Sequence, residues 1–435
     1  MTIHMSRRQL GHAALGVAAL GLLSACGKGT SGTSADGTTT LRFTWWGNDV
    51  RNASTDKLIT AFTAANPKIK LGAEPGVWSS YWDKLATQTA GNDMPDIIQM
   101  DQQYIAEYGG RGALLDLAGQ KAIDTSGLTP EALKSGQVGG KQFGISTGQN
   151  AYVIMANTRL FKEAGVAIPD DKTWTWDDYI STAAAVADKV PKSFGAAYGG
   201  TEAALTVWFG QNGENLYTAD GKLGFTEGTL QAYYERLIKQ RDAKAGPSAS
   251  QNSEDATAAV EQTLFGTGQL AMSWWWTNQV GALAKATGDD IKILRVPSVA
   301  GSAAKASMYF KPSMFWSASA RTKHAEEASK FINYLMNDVD AAKVQLTDRG
   351  FPSNPKLQEA ITPLLKPADK SAGDFLKAIE PEVSWTPAVP PVGTGTLANV
   401  SLRYVDDVLF NRKTPAVAAK EFKAEAEGLI SSAAK

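Results

Sequence analysis

The run Trp274-Trp275-Trp276 passes directly into Thr277-Asn278. Indole faces cover apolar surface at low entropy cost, and an amide offers a donor and an acceptor together. A pyranose makes those two demands: it has an apolar C–H face and a ring of hydroxyls. On a strand, Trp274 and Trp276 point one way and Trp275 the other. One of the two faces belongs to the core. Trp276, with Asn278, is expected at a cleft, and Trp275 is the second candidate. The plainer alternative is that all three pack. The chain favours the residue throughout, with 12 Trp equal to 12 Tyr.

The same mixture recurs at the ends of predicted strands. A strand over 41–46 alternates Leu41, Phe43 and Trp45 inward, so Trp45 reads as core and Trp46 as core or cleft. Asn48, Asp49 and Arg51 follow it. Trp78 and Tyr81 follow a strand over 68–74 and are site candidates; Trp82 reads equally as site or core. Asp101 and Gln102 follow the short buried strand 96–100 as ligand groups, although Asp101 could instead cap the next helix. Asn150 precedes the strand 151–156 and is placed for a hydroxyl contact. Trp174 and Trp176 open a helix and read as packing; Trp385, in a Pro-rich stretch, reads as either. Arg51 could grip a carboxylate with its two-pronged guanidinium, but a solvated place in the first turn of a helix beginning near Asn52 is the better reading. Asp49 and Asp101 nearby favour a neutral ligand over an acidic one.

Three enzyme signals are weaker. Gly27 to Gly32 spells GxGxxG but follows no strand, so it is not a dinucleotide loop. Gly144-Ile145-Ser146-Thr147-Gly148 spells GxSxG, yet a strand follows where a nucleophile elbow needs a helix. Its only available base, His324, opens a charged helix and reads as a surface residue. No acid stands out in an apolar setting as half of a glycosidase pair. A secreted glycoside hydrolase or esterase is the alternative reading.

The elements that must hold these residues alternate. A β-α-β-α-β order over 41–100 predicts a parallel sheet with helices on both faces, and ligands bind at the carboxyl ends of such strands. Further strands are predicted over 143–146, 151–156, 194–198, 269–274, 291–296 and 308–317. Helices are predicted over 158–164, 174–190, 323–337 and 414–430. The fold class is α/β, in two lobes. With 435 residues, 43 Lys plus Arg against 44 Asp plus Glu, and one cysteine, the chain has no basic excess for nucleic acid and no internal disulfide. No cofactor or metal site is expected.

The first residues read as an address. Arg7 and Arg8 precede the apolar stretch 10–25, too short to span a membrane. It ends Leu23-Ser24-Ala25-Cys26, which resembles the lipobox of bacterial lipoproteins; that resemblance implies lipidation at Cys26. The paired arginines also resemble a twin-arginine signal. Removing residues 1–25 takes the formal charge from -1 to -3. Residues 26–40 read as the lipidated Cys and a Gly/Ser/Thr-rich tether.

Beyond these residues, the ordered set LRFTWWGND (41–49), AFTAANPKIK (61–70), YWDKLATQTAGNDMPDIIQMD (81–101), GKQFGISTGQNAYVIMANTRLFKEAGV (140–166), TWTWDDY (173–179), FGTGQLAMSWWW (265–276), KHAEEASKFINYLMN (323–337) and RGFPSN (349–354) resembles the family 1 extracellular solute-binding proteins of carbohydrate ABC importers. The resemblance implies a type II periplasmic-binding-protein-like fold, with lobe 1 from 41–148 plus 310–345 and lobe 2 from 149–309 plus 346–435. It implies an oligosaccharide ligand in the cleft, hinge closure, no catalysis, and delivery to an ABC permease. It also implies a monomer anchored by lipid to the outer face of the cytoplasmic membrane. The opening WWGNDVR is similar to members that bind pectin-derived oligosaccharides.

Overall fold

The computed structural model describes residues 31–47 and 49–433. The signal peptide, Cys26 and Asn48 lie outside the described residues.

The first sheet is built on β1 (Thr39–Trp46). Strands β2 (Ile69–Gly76) and β3 (Ile97–Met100) both run parallel to it. The linking helices are α1 (Asp49–Ala65) and α2 (Trp78–Ala90); α3 (Gln102–Gly110) follows β3. Alternation along β1 sends Leu41, Phe43 and Trp45 to one face, against Leu58 and Phe62 of α1 and Phe331 of the helix Ala325–Asn337. Trp46 goes to the other face, among Tyr81 and Leu85 of α2 and Ile105 of α3. Each face of the sheet thus buries its own apolar layer.

After α3 the chain forms the short β4 (Ile145–Ser146) and the long β5 (Gly148–Asn157). β5 is the spine of the second sheet. It pairs with β7 (Leu270–Trp276) and β8 (Ile291–Leu294), and β7 pairs in turn with β6 (Phe194–Ala196). β9 (Phe310–Pro312) and β11 (Phe351–Pro352) pair with the first residues of β5. β10 (Phe315–Ala318) returns to the first sheet, antiparallel to β3 and β4.

The first sheet is therefore mixed, where an all-parallel one was expected. The late strand β10 enters from the other lobe and runs against its neighbours. The strand expected over 308–317 is two strands in different sheets. Pro312 lies opposite Gln149, Ser313 N still bonds to the Gly148 carbonyl of β5, and the chain then passes into the first sheet.

Three segments cross between the sheets, and hydrogen bonds tie them together. Ser313 N donates to the Gly148 carbonyl at 2.9 Å, and Thr147 N to the Met314 carbonyl at 3.0 Å. Thr147 Oγ1 donates to the Arg349 carbonyl at 2.7 Å. Gly350 adopts φ +89°, and a Cβ there would meet Ser313 Oγ at 1.7 Å. Only glycine suits both the conformation and the space.

Two further expectations are corrected. Residues 31–40, assigned to the tether, form an antiparallel extension: Gly32 and Thr33 pair with Thr40 and Thr39. Asp36 accepts from Thr38 N at 3.0 Å to close its turn. The α1 helix begins at Asp49, before the expected Asn52. Among the described residues no helix is long and apolar enough to cross a membrane.

Candidate functional site

A cleft of about 680 Å³ opens where the carboxyl ends of β1 and β3 face the second sheet. That volume falls within the usual range for a small-molecule pocket. Its first wall is aromatic. Trp46 packs edge-on against Trp78 at 5.1 Å between ring centroids, and Trp78, at the first turn of α2, is 46 % exposed. Trp82 lies behind them, buried and stacked on Tyr104 at 3.8 Å.

The second wall is also aromatic. Trp276 ends β7 and packs on Tyr152 of β5 at 4.8 Å. Tyr309 bridges Trp276 and Trp385, at 6.3 Å and 5.9 Å. Trp275 points to the opposite face of the strand, half-buried against Phe265, and also reaches the cleft. Among the described residues, the indole N–H groups of Trp275 and Trp385 find no acceptor. Trp274 is core: it stacks on Trp176 at 5.6 Å and on Tyr152 at 5.4 Å, with only an edge on the cleft. Trp174 and Trp176 are buried packing, as expected.

Polar groups sit between these walls. Asp101 caps α3 by accepting from Gln103 N at 2.9 Å, and also receives the Lys311 ammonium at 3.2 Å. The cap reading of Asp101 is thus the one observed, and the side chain also lines the cleft. Lys311 belongs to β9, so this ion pair spans the two sheets; its ammonium lies 5.1 Å from the Trp276 ring centre. Gln102 and Asn150 line the cleft, and Asn150 Oδ1 accepts from Thr277 Oγ1 at 3.4 Å. Gln103 Nε2 crosses to the Gly395 carbonyl at 2.7 Å.

Arg51 is not the solvated residue that was expected. Its Nε pairs with Asp348 Oδ2 at 2.8 Å, and its Nη2 donates to the Asp348 carbonyl at 2.7 Å. Nη1 donates to the Trp46 carbonyl at 3.2 Å. Burial opposes the charge on Asp348, but Arg51 and Arg349 more than offset it and hold the carboxyl below its usual range. Beside it, Arg349 is fully buried, bonded through Nε to Gln99 and through Nη2 to Thr55. Burial, reinforced by Arg51, brings its pKa down to about 9. Asn278 Nδ2 reaches the Asp348 carbonyl at 3.5 Å.

The structure thus brings Trp46, Arg51, Trp78, Asp101, Gln102, Asn150, Trp275, Trp276, Asn278 and Trp385 to one cleft. It does not bring Tyr81 or Asp49 there. Tyr81 faces inward from α2, fully enclosed, and donates to the Gln99 carbonyl at 2.7 Å. Asp49 is the exposed first residue of α1, where a carboxylate suits the positive end of the helix. Asn48 lies outside the described residues.

Sequence reasoning passed over Glu202. It is the first residue of α4 (Glu202–Gln211), capped by Thr201, whose side chain accepts from Ala204 N. The Thr cap ahead of the apolar run Ala203 to Phe209 was a legible helix-start signal. Tyr217 OH donates to Glu202 Oε1 at 2.9 Å. Burial pushes the Glu202 carboxyl up to about 7, against smaller lowering effects of Tyr217 and Lys311. Lys311 itself carried no signal, being one lysine in a strand.

Two sequence signals lead elsewhere. Ser146 is buried and donates to the Gly148 carbonyl at 2.9 Å within a crossing strand. His324 precedes the helix Ala325–Asn337. Among the described residues no group of three His, Cys, Asp or Glu could hold a metal.

The sequence pattern of bacterial extracellular solute-binding proteins matches residues 57–370. An uncharacterized lipoprotein in the oleD 5′ region of Streptomyces antibioticus is 26 % identical over 344 residues, 76 % of this chain and 74 % of that one. The multiple sugar-binding protein of Streptococcus mutans is 24 % identical over 387 residues, 78 % of this chain and 84 % of that one. A periplasmic oligogalacturonide-binding protein from Yersinia enterocolitica, solved with saturated digalacturonic acid, superposes with a TM-score of 0.82. It is 20 % identical and covers 91 % of this chain and all of its own. The two-lobed α/β fold is shared with that structure.

Proposed function

Since the chain belongs to the bacterial extracellular solute-binding proteins, we propose that it is the substrate-binding component of an ABC importer and captures an oligosaccharide between its lobes. The observation that carries this reading is the pair of facing aromatic walls. Trp46 and Trp78 stand on one lobe; Trp275, Trp276 and Trp385 stand on the other. Sugar rings present apolar faces to both, while Asp101, Gln102, Asn150 and Asn278 supply groups for hydroxyls. A ligand that touches both walls favours the closed arrangement, because only that form makes all the contacts. The relative named for multiple sugars supports the ligand class.

The lipobox-like ending at Cys26 supports a lipid anchor on the outer face of the cytoplasmic membrane; the proposed membrane partner is a permease, and the proposed working form is a monomer. Replacing Cys26 by Ser should abolish fatty-acid labelling and membrane retention; retention of both in Cys26→Ser overturns the anchor.

Capture without turnover is the proposed chemistry. Ser146 is held by Gly148 in a crossing strand, and Asp101 is committed to Lys311 and to its helix cap. A thermal-shift screen over mono- and oligosaccharides tests the binding claim, since a ligand at 100 times its Kd adds about 2.7 kcal/mol of stability. The bound sugar should be recovered intact. Cleavage of it that disappears in Glu202→Gln or Ser146→Ala would make the protein a hydrolase.

A further inference from the structure

The charges facing the cleft do not balance. Asp101, Glu202 and Asp348 line it against Arg51 and Lys311. Four of the five are joined in pairs. Arg51 and Asp348 share three hydrogen bonds, and Lys311 lies on Asp101. Among the described residues Glu202 has a single donor, the neutral Tyr217 hydroxyl at 2.9 Å.

Its surroundings disfavour an unpaired carboxylate. Tyr217 holds it from the neighbouring hairpin, Asp101 across the cleft repels its charge, and Lys311 attracts it only from a distance, being committed to Asp101. Tyr309 lies close enough to feel the Glu202 charge, and its ring stands edge-on to Trp276 in the lining of the same cleft. A carboxylate beside aromatic faces in a partly dried pocket is the arrangement that recognises an organic ammonium ion: the acid supplies the counter-charge and the rings supply cation–π attraction.

We propose that the ligand carries a protonated amine and that Glu202 is the carboxylate that receives it. The inference rests on the oligosaccharide reading and narrows it to amine-bearing sugars. Glu202 near neutrality is only partly ionised, so binding the ammonium completes its ionisation and releases a proton. A ligand carboxylate at the same place would meet a like charge, so uronic-acid chains are disfavoured.

The test is calorimetry on the full chain with four trisaccharides: the β-1,4 trimer of glucosamine, its N-acetylated counterpart, cellotriose and trigalacturonate. The expected result is at least about tenfold tighter binding of the glucosamine trimer than of its N-acetylated form, about 1.4 kcal/mol. Trigalacturonate should bind most weakly. Glu202→Gln should remove the amine preference, so that the glucosamine trimer and its N-acetylated form bind alike. Lys311→Met, which takes away the competing cation, should enlarge that preference and covers the case in which Glu202→Gln does not fold. Equal binding of amine and N-acetyl forms, or a preference that survives Glu202→Gln, overturns this inference and leaves the oligosaccharide reading intact. Binding of none of the four overturns the oligosaccharide reading itself.

Discussion

The Lys311 ammonium lies 3.2 Å from the Asp101 carboxylate, joining a strand of the second sheet to the end of a strand of the first. The same carboxylate caps α3. One acid therefore fixes a helix start, a cross-lobe contact and a stretch of cleft wall. The cap and the ion pair separate by substitution. Asp101→Asn keeps an N-cap acceptor and loses the charge, whereas Asp101→Ala loses both. Denaturant unfolding should show Ala less stable than Asn by about 1 kcal/mol. Equal stabilities would mean that the cap contributes nothing.

The tryptophan run should divide by function. Trp274 is buried between Trp176 and Tyr152, so Trp274→Ala should lower stability by about 3–5 kcal/mol. Trp276→Ala should leave the fold nearly as stable and weaken sugar binding by roughly 2 kcal/mol, as buried aromatic anchors do. Unfolding and titration on both variants check the division; a folded Trp276→Ala protein with unchanged affinity removes that ring from the site.

Asp348 stands between two guanidinium groups. Its Oδ2 is 2.8 Å from Arg51 Nε and 3.8 Å from Arg349 Nη1. Asp348→Asn leaves two partly or fully buried cations facing each other. Breaking a buried pair from one side is costly, and with this carboxylate partly exposed a loss of about 2 kcal/mol is expected in urea unfolding. A loss of only a few tenths would show that the arginines relax apart.

The raised pKa of Glu202 sets a pH dependence. Its ordinary value is 4.5 and in the fold it is about 7, so between these values the folded chain holds the proton more tightly than the unfolded chain. The stability tied to that proton is fully present below about pH 4.5 and is lost as pH rises to about 7. The difference between wild type and Glu202→Gln should fall by about 1–3 kcal/mol across that window and then level off. Melting curves at stepped pH check it. A flat difference would place the carboxyl in ordinary solvent.

How much could be read in the sequence depended on the range of the interactions. Alternation in Leu41-Arg42-Phe43-Thr44-Trp45 put Trp45 in the core because strand periodicity is local. The same local logic placed Trp46, Trp78 and Asp101 at strand ends, and the structure puts them on the cleft. It failed for Tyr81, which shares a loop-to-helix junction with Trp78. Which residue of an aromatic helix face turns inward depends on what the sheet offers, here the Gln99 carbonyl.

By itself the sequence determined an α/β chain with an export address, no basic excess, and aromatic and amide groups gathered at strand ends. These follow from composition, period and turn residues, which act over a few positions. Tertiary structure decided what sits opposite what. Lys311 is 210 positions from Asp101, and Arg51 is 297 from Asp348. No spacing rule links residues so far apart. The split of 308–317 between two sheets, the engagement of Arg51 and the placing of Glu202 in a partly dried cleft all follow from the three crossings meeting at Gly148, Ser313 and Gly350. Charges and burial at a cleft are properties of facing surfaces, and those surfaces exist only once the lobes are assembled.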